Sequence, residues 1–173
     1  MERRTPKNTA PLKFVVDNAR LIVYPVSDLN PETKRGLMSD TGNCVFCKII
    51  AGAIPATKIY EDDQTLAFLD IAPFEKGHVL VVPKRHAPML TDLPAEDLQA
   101  VIRVTQKVGA CLLARLPCDG FNVFQNNGAC ASQTVPHVHF HVVPRHNGQP
   151  LNWTPGSYAS PEEPQTIQAK LKF

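Results

Sequence analysis

Residues 137–142 alternate without a break. His137, His139 and His141 take every second position, and Val138, Phe140 and Val142 fill the places between. Side chains of a strand point in turn to its two faces, so this period of two predicts a strand with one imidazole face and one apolar face. Neighbouring histidines would lie about 6.5–7 Å apart, at roughly 3.3 Å per residue. A helical period runs upstream of it. Leu98, Val101, Ile102, Thr105, Val108 and Leu112 recur at steps of three and four, predicting one long helix over 94–114. Pro94 suits its first position, and Glu96 and Asp97 complement the positive end of its dipole. Residues 57–61 and 65–71 read as strands around Asp62-Asp63, 77–83 as a buried β-branched strand, and 121–125 as another. A short helix over 45–51 closes at Gly52, 126–136 is a polar loop, and Pro144 ends the histidine strand. The order β-β-β-α-β-β predicts an α+β domain on an antiparallel sheet of about five strands.

Outside this dense region the pattern thins. Residues 1–42 read as an extension with two apolar runs, 12–16 and 21–26, either a hairpin or a weakly ordered arm; 30–43, with Pro31, Gly36 and Gly42, read as a linker. The domain proper spans 43–156. The segment 157–173, with Pro161 and Pro164, is expected to be an irregular tail. At 173 residues the chain fits one domain with an extension. Its net charge of +2 gives no reason to expect nucleic acid or a membrane as partner, and no apolar run approaches the roughly 18–20 residues that span a bilayer. Arg3, Arg4 and Lys7 precede no apolar core of a secretory signal, and Pro6 and Pro11 spoil an amphipathic helix there. The cytoplasm is the expected compartment, with the mitochondrion left open.

Five cysteines, an odd number, argue against a disulfide framework. Cys44 and Cys47 form the Cys-x-x-Cys turn that can hold zinc through two thiolates, but a structural site needs two more ligands. His86 and His137 stand at predicted strand edges; spacing alone does not choose His86 over His146. The histidine trio has two strong uses, metal ligation and nucleophilic catalysis, in which a neutral imidazole attacks an electrophile such as phosphorus.

The run His137-Val138-His139-Phe140-His141-Val142-Val143 resembles the defining motif of the histidine triad superfamily. The preceding 126–136 resembles that family's phosphate loop, and Ala67-Phe68-Leu69-Asp70-Ile71-Ala72-Pro73 and Gly77-His78-Val79-Leu80-Val81-Val82-Pro83 are similar to family segments. The resemblance implies the family fold and a nucleotide hydrolase working through a nucleotidyl-histidine intermediate. His139 matches the nucleophile, with His141 and His78 assisting it. Asp70 matches the ribose-binding position, and Asn126, Gln133 and Thr134 match the phosphate-contacting positions. Ser132 stands where the family usually has glycine, which is costly if that position needs a positive φ. Cys44, Cys47, His86 and His137 match the ligands of a zinc-binding subset, implying a closed structural zinc site. The segment Asn152-Trp153-Thr154-Pro155-Gly156 resembles the Hint-like branch, implying a phosphoramidase that releases AMP or a similar nucleotide from an amine. Residues 131–135 and 105–109 are closer to the Fhit-like branch of dinucleoside polyphosphate hydrolases. A homodimer, for which Ala100 and Val104 would supply a second apolar helix face, is a further implication. Two readings of other classes remain: one catalytic metal held by all three histidines, and a non-catalytic purine-nucleotide-binding interaction protein.

Overall fold

The structure, a computed structural model, describes residues 42–173 and the backbone of two earlier strands, Leu12–Asp17 (β1) and Arg20–Pro25 (β2). These two pair antiparallel, from Leu12 opposite Pro25 to Asp17 opposite Arg20. The chain divides into two units, Met1–Ser39 and Asp40–Phe173. The linker expected over 30–43 lies, except for Gly42 and Asn43, outside the described residues, as do the parts of the extension that flank β1 and β2.

The second unit begins with a short helix, Val45–Ile50 (α1), followed by strands Lys58–Glu61 (β3), Thr65–Leu69 (β4) and Val79–Pro83 (β5). The long helix Ala95–Arg115 (α2) comes next, then Gly120–Gln125 (β6), Phe140–Arg145 (β7) and a last helix, Glu163–Leu171 (α3). Five strands form one antiparallel sheet in the order β3-β4-β5-β7-β6, so the architecture is the expected α+β. The alternation of apolar side chains builds two cores. Ala67, Leu69, Val79, Val81, Val138 and Val142 pack with Val101, Val104, Val108 and Leu112 of α2. Leu66, Phe68, Leu80 and Val82 point the other way and pack with Cys44, Phe46 and Ile49. Strands β4 and β5 are thus buried on both faces, which is why they are continuously apolar. Each aliphatic side chain so buried contributes about 1.5–3 kcal/mol.

Five expectations need correction. The buried stripe of α2 runs through Ala100, Val101, Val104, Thr105, Val108 and Leu112, while Ile102 is 46% exposed. Ile102 sits about 100° from Val101 around the axis, off the face that meets the sheet. Ala100 and Val104 are buried within this chain, so they offer no second face. Next, the ladder of β7 begins at Phe140 rather than His137, and His137 and His139 lie in an irregular lead-in, where the His137 N–H turns back to the Val135 carbonyl at 2.8 Å and the Val138 N–H donates to the Ala87 carbonyl at 2.8 Å. Pro144 falls inside β7 instead of ending it. It stands past the last β5 pair, Val79 opposite Val142, so its missing N–H leaves no bond to that strand unmade. Finally, the C-terminal segment is not wholly irregular. Pro164 occupies the first turn of α3, where proline is tolerated, and Ile167 and Leu171, four apart, reach the core. The Gln168 amide donates to the Lys58 carbonyl at 2.5 Å, so α3 covers the outer strand β3.

Among the described residues no helix is long and apolar enough to cross a membrane.

Candidate active site and metal centre

Cys44 caps α1 and Cys47 lies one turn on, so both thiols project from the same end of that helix. His86 arrives from the irregular segment after β5, and His137 from the lead-in to β7. One donor atom from each of the four lies within 4.8 Å of every other. The His137 Nδ1 is 3.5 Å from Cys44 Sγ and 3.6 Å from Cys47 Sγ, and the His86 Nδ1 is 3.4 Å from Cys47 Sγ. The two Nδ1 atoms are 3.3 Å apart. A tetrahedron with Zn–S of about 2.3 Å and Zn–N of about 2.05 Å has S···N edges of about 3.5 Å and an N···N edge of about 3.3 Å. Four of the six donor–donor distances therefore match the edges of such a tetrahedron, and the other two lie within 4.8 Å. His137 Nε2–H donates to the Pro83 carbonyl at 2.9 Å, which leaves Nδ1 as the lone pair facing the cluster. Burial pushes the His137 pKa down to about 4, while burial and the neighbouring Cys44 thiol push Cys47 up to about 12. The imidazole is thus held neutral, as ligation needs, and a dication would supply the charge that favours thiolate.

His139, 3% exposed, faces the other way electronically. Its Nδ1 lies 2.6 Å from the His137 carbonyl, and only an Nδ1–H can donate there, so Nε2 carries the lone pair. Burial lowers its pKa, keeping the ring neutral. Phe46, in the turn between the two cysteines, packs edge-on against both His137 and His139, with centroids 5.8 and 5.1 Å away.

His141 has the opposite tautomer. The backbone N–H of Phe74 donates to His78 Nδ1 at 3.3 Å, so His78 carries its proton on Nε2 and donates it to His141 Nδ1 at 2.9 Å. His141 must then hold its own proton on Nε2. Asp70 Oδ2 is 3.5 Å from the same His78 Nδ1. The amide contact is shorter and its donor is obligatory, so we assign the Nδ1 lone pair to Phe74. Burial, with help from nearby Arg145, pushes His78 down to about 3; burial and the facing His139 and His78 rings push His141 to about 3. Asp70 Oδ1 accepts from the Ala72 N–H at 2.9 Å, which leaves Oδ2 directed at the site. Phe124 stacks on His141 at 4.4 Å and 8°, and Trp153 stands edge-on to Phe124 at 5.3 Å with Arg145 over its ring.

The loop 126–136 is closed by its own side chains. Gln133 Oε1 accepts from the Gly128 N–H at 2.7 Å, and its Nε2 donates to the Pro88 carbonyl at 2.7 Å. Ser132 adopts φ 66°, ψ 24°, the left-handed conformation, and is the one non-glycine with positive φ among the described residues. Asn126 Nδ2 reaches the Ser132 carbonyl at 3.5 Å, and Thr134 is exposed.

A family model described as the HIT domain matches residues 51–148. The chain belongs to the HIT family. An adenosine 5'-monophosphoramidase of Schizosaccharomyces pombe is 42% identical over 137 residues, 75% of this chain and 99% of that one. An adenylylsulfatase of Arabidopsis thaliana is 41% identical over 103 residues, 60% of this chain and 52% of that one. Among solved structures, a Zn-bound histidine triad family protein from Mycobacterium smegmatis is 41% identical with a TM-score of 0.69, covering 76% of this chain and 94% of that one.

In this HIT chain the structure brings His78, His139, His141 and Asp70 together and, next to them, gathers Cys44, Cys47, His86 and His137. The three triad histidines do not form one donor set: His137 turns Nδ1 to the thiols, His139 Nδ1 to a backbone carbonyl and His141 Nδ1 to His78, and no donor group contains all three among the described residues. That corrects the reading of a single metal held by all three. Asp70, His78 and His141 also place one donor atom each within 4.8 Å, but hydrogen bonds already account for their arrangement. Phe46, Phe74 and Phe124, which wall the site, were not singled out from the sequence. Phe124 opposes His141 in the β6–β7 register, a pairing that no local pattern reveals.

Proposed function

We propose that this chain is a nucleotide hydrolase in which His139 Nε2 attacks the α-phosphorus of an adenylylated amine and AMP, or a similar nucleoside monophosphate, is released. The observation that carries the reading is the pair of opposite tautomers two residues apart: a nucleophilic lone pair on His139 and an N–H on His141. As the P–Nε2 bond forms and the P–N bond to the amine breaks, positive charge grows on the His139 ring, and the His137 carbonyl 2.6 Å from Nδ1–H stabilises it. The departing nitrogen takes a proton from solvent water as the P–N bond breaks and leaves as the neutral amine. His141 Nε2–H donates to a phosphate oxygen throughout, held in that tautomer by His78. Water then attacks phosphorus and gives up one proton to solvent, and the P–Nε2 bond breaks to restore the lone pair and release the monophosphate. Asp70 Oδ2 accepts from the ribose hydroxyls, and Asn126 and Thr134 line the phosphate loop.

Cys44, Cys47, His86 and His137 would hold a zinc ion whose chemistry is structural, since four protein ligands leave no position for substrate. The names of the two enzymatic relatives, a monophosphoramidase and an adenylylsulfatase, support an adenylyl group as the part recognised. The Zn-bound neighbour supports the metal. A homodimer belongs to the same reading, with β6, an outer strand whose Val123 is 46% exposed, available to a second copy.

The test is to react wild type and His139→Ala with an AMP–lysine phosphoramidate and with diadenosine polyphosphates. We expect wild-type turnover of the phosphoramidate, trapping of an adenylyl group on His139, and neither in the variant. Faster hydrolysis of the diadenosine substrates would move the chain to the Fhit-like reading. AMP binding with no turnover of either would leave a nucleotide-binding module.

A further inference from the structure

The backbone that follows His86, as far as Leu90, is hydrogen-bonded to the loop 126–136. That short segment is gripped at each step. The His86 Nδ1 belongs to the Cys–His cluster; the Ala87 carbonyl accepts from the Val138 N–H at 2.8 Å, between His137 and His139. The Pro88 carbonyl accepts from Gln133 Nε2 at 2.7 Å, and the Leu90 N–H donates to Asn127 Oδ1 at 2.8 Å. The ends of the segment are fixed separately, by Lys84 N–H on the Gln64 carbonyl at 2.7 Å, Arg85 Nε on Asp97 Oδ2 at 2.6 Å and the Met89 carbonyl accepting from Asp92 N–H at 3.0 Å, so the contacts of 86–88 set the path between them. Gln133 is 9% exposed, and both ends of its carboxamide are engaged inside the protein: the oxygen closes the loop on Gly128, and the nitrogen ties the loop to the segment that carries His86.

We propose that residues 86–90 are a strap coupling the metal cluster to the phosphate loop, and that Gln133 and Asn127 act as its positioning residues rather than as substrate contacts. The proposal rests on the zinc reading above. Ligation fixes His86, the rigid Ala87-Pro88 step fixes the Pro88 carbonyl, and Gln133 passes that position to Gly128 and the left-handed Ser132. Coupling between two sites is reciprocal, so whatever the metal does for the loop the loop must do for the metal. A side chain that only touched phosphate would leave metal affinity unchanged.

The experiment uses the full zinc-loaded chain at 25 °C, with circular dichroism confirming that each variant is folded. Zinc transfer to a competing chelator is measured for wild type, Gln133→Ala and Asn127→Ala, the last an exposed position where folding is not at stake. We expect Gln133→Ala to lose zinc affinity by roughly tenfold and Asn127→Ala by a smaller factor, within the range of coupled sites. In the reverse direction, removing zinc from wild type should raise amide hydrogen exchange in 126–133 more than in β4. Wild type that binds no zinc overturns the metal reading itself. Wild type that binds zinc while both variants match its affinity, or a loop whose exchange ignores zinc, overturns the strap.

Discussion

Two clusters of the same chemistry sit two residues apart. On one side His137 joins two thiols and His86; on the other His139 and His141 meet His78 and Asp70. All four of these triad-region imidazoles are buried enough to be held neutral, so charge does not separate their roles. What separates them is the partner of the second ring nitrogen. The Pro83 carbonyl takes the Nε2 proton of His137 and frees Nδ1 for ligation. The His137 carbonyl takes the Nδ1 proton of His139 and leaves the lone pair on Nε2. The His78 N–H occupies Nδ1 of His141 and leaves it a donor at Nε2. Backbone carbonyls and one neighbouring ring therefore give identical residues different free nitrogens, and under the proposed function these would serve as ligand, nucleophile and donor.

The hardest blow to this comparison is a pair of substitutions. His139→Ala should lower turnover by about 10⁴-fold or more while zinc content stays at one per chain. His137→Ala should release zinc and lower the melting temperature. A cross-link contributing about 3 kcal/mol corresponds to roughly 6–12 °C at this chain length. Metal analysis and calorimetry on the two proteins decide it: zinc lost from the first, or kept by the second, would erase the division between the clusters.

A smaller effect separates donor from nucleophile on the reacting side. His78→Ala removes the N–H that fixes His141, so His141 can turn its lone pair toward phosphate. Catalysis should fall by about 10²-fold, mostly in kcat. The pH dependence follows from the same burial. His78 and His141 have folded pKa values of about 3, against an ordinary 6.5, so between these limits the unfolded chain binds more protons than the folded one. Stability is therefore complete above pH 6.5 and is lost progressively as pH falls toward 3. Likewise the acid limb of kcat/KM should lie below 6.5, because burial keeps the His139 ring neutral. A urea series at pH 7 and pH 5, with rates at the same values, measures both; equal midpoints, or an acid limb at or above 6.5, would contradict the burial argument.

The sheet was legible in the chain because its periods are strong. The alternation at 137–142 and the apolar runs of β4 and β5 place side chains on defined faces wherever the strands pair. The site was legible in its residue types and in part through family resemblance. It was not legible in its tautomers, which depend on Pro83, Phe74 and the His137 carbonyl, backbone groups that no side-chain pattern reports. The same limit explains Ile102, whose apolar side chain fits a helical stripe but faces away from the sheet. It also explains α3: Pro161 and Pro164 signal irregularity, yet a proline in a first turn is compatible with helix, and Ile167 and Leu171 supply the apolar pair.

The smallest effect concerns strain, which among the described non-glycine residues lies on the reacting side alone. Ser132 at φ 66° costs about 1–2 kcal/mol relative to an allowed conformation, because its Cβ crowds the backbone. Glycine would remove that cost but adds unfolded-chain entropy of about 0.4–1 kcal/mol. Ser132→Gly should therefore stabilise the protein by about 0.5–1 kcal/mol, a rise of roughly 1–4 °C in melting temperature. Its backbone bonds, Ser132 N–H to the Ala129 carbonyl at 3.0 Å and the Ser132 carbonyl to Asn126, survive the change, so turnover should stay within about twofold. Ser132→Val should do the reverse, since a β-branched residue is least tolerated at positive φ. A glycine variant that melts lower than wild type would mean that the serine hydroxyl makes a stabilising contact larger than the strain, and the loop would then owe its shape to that contact instead of to Gln133 and Gly128.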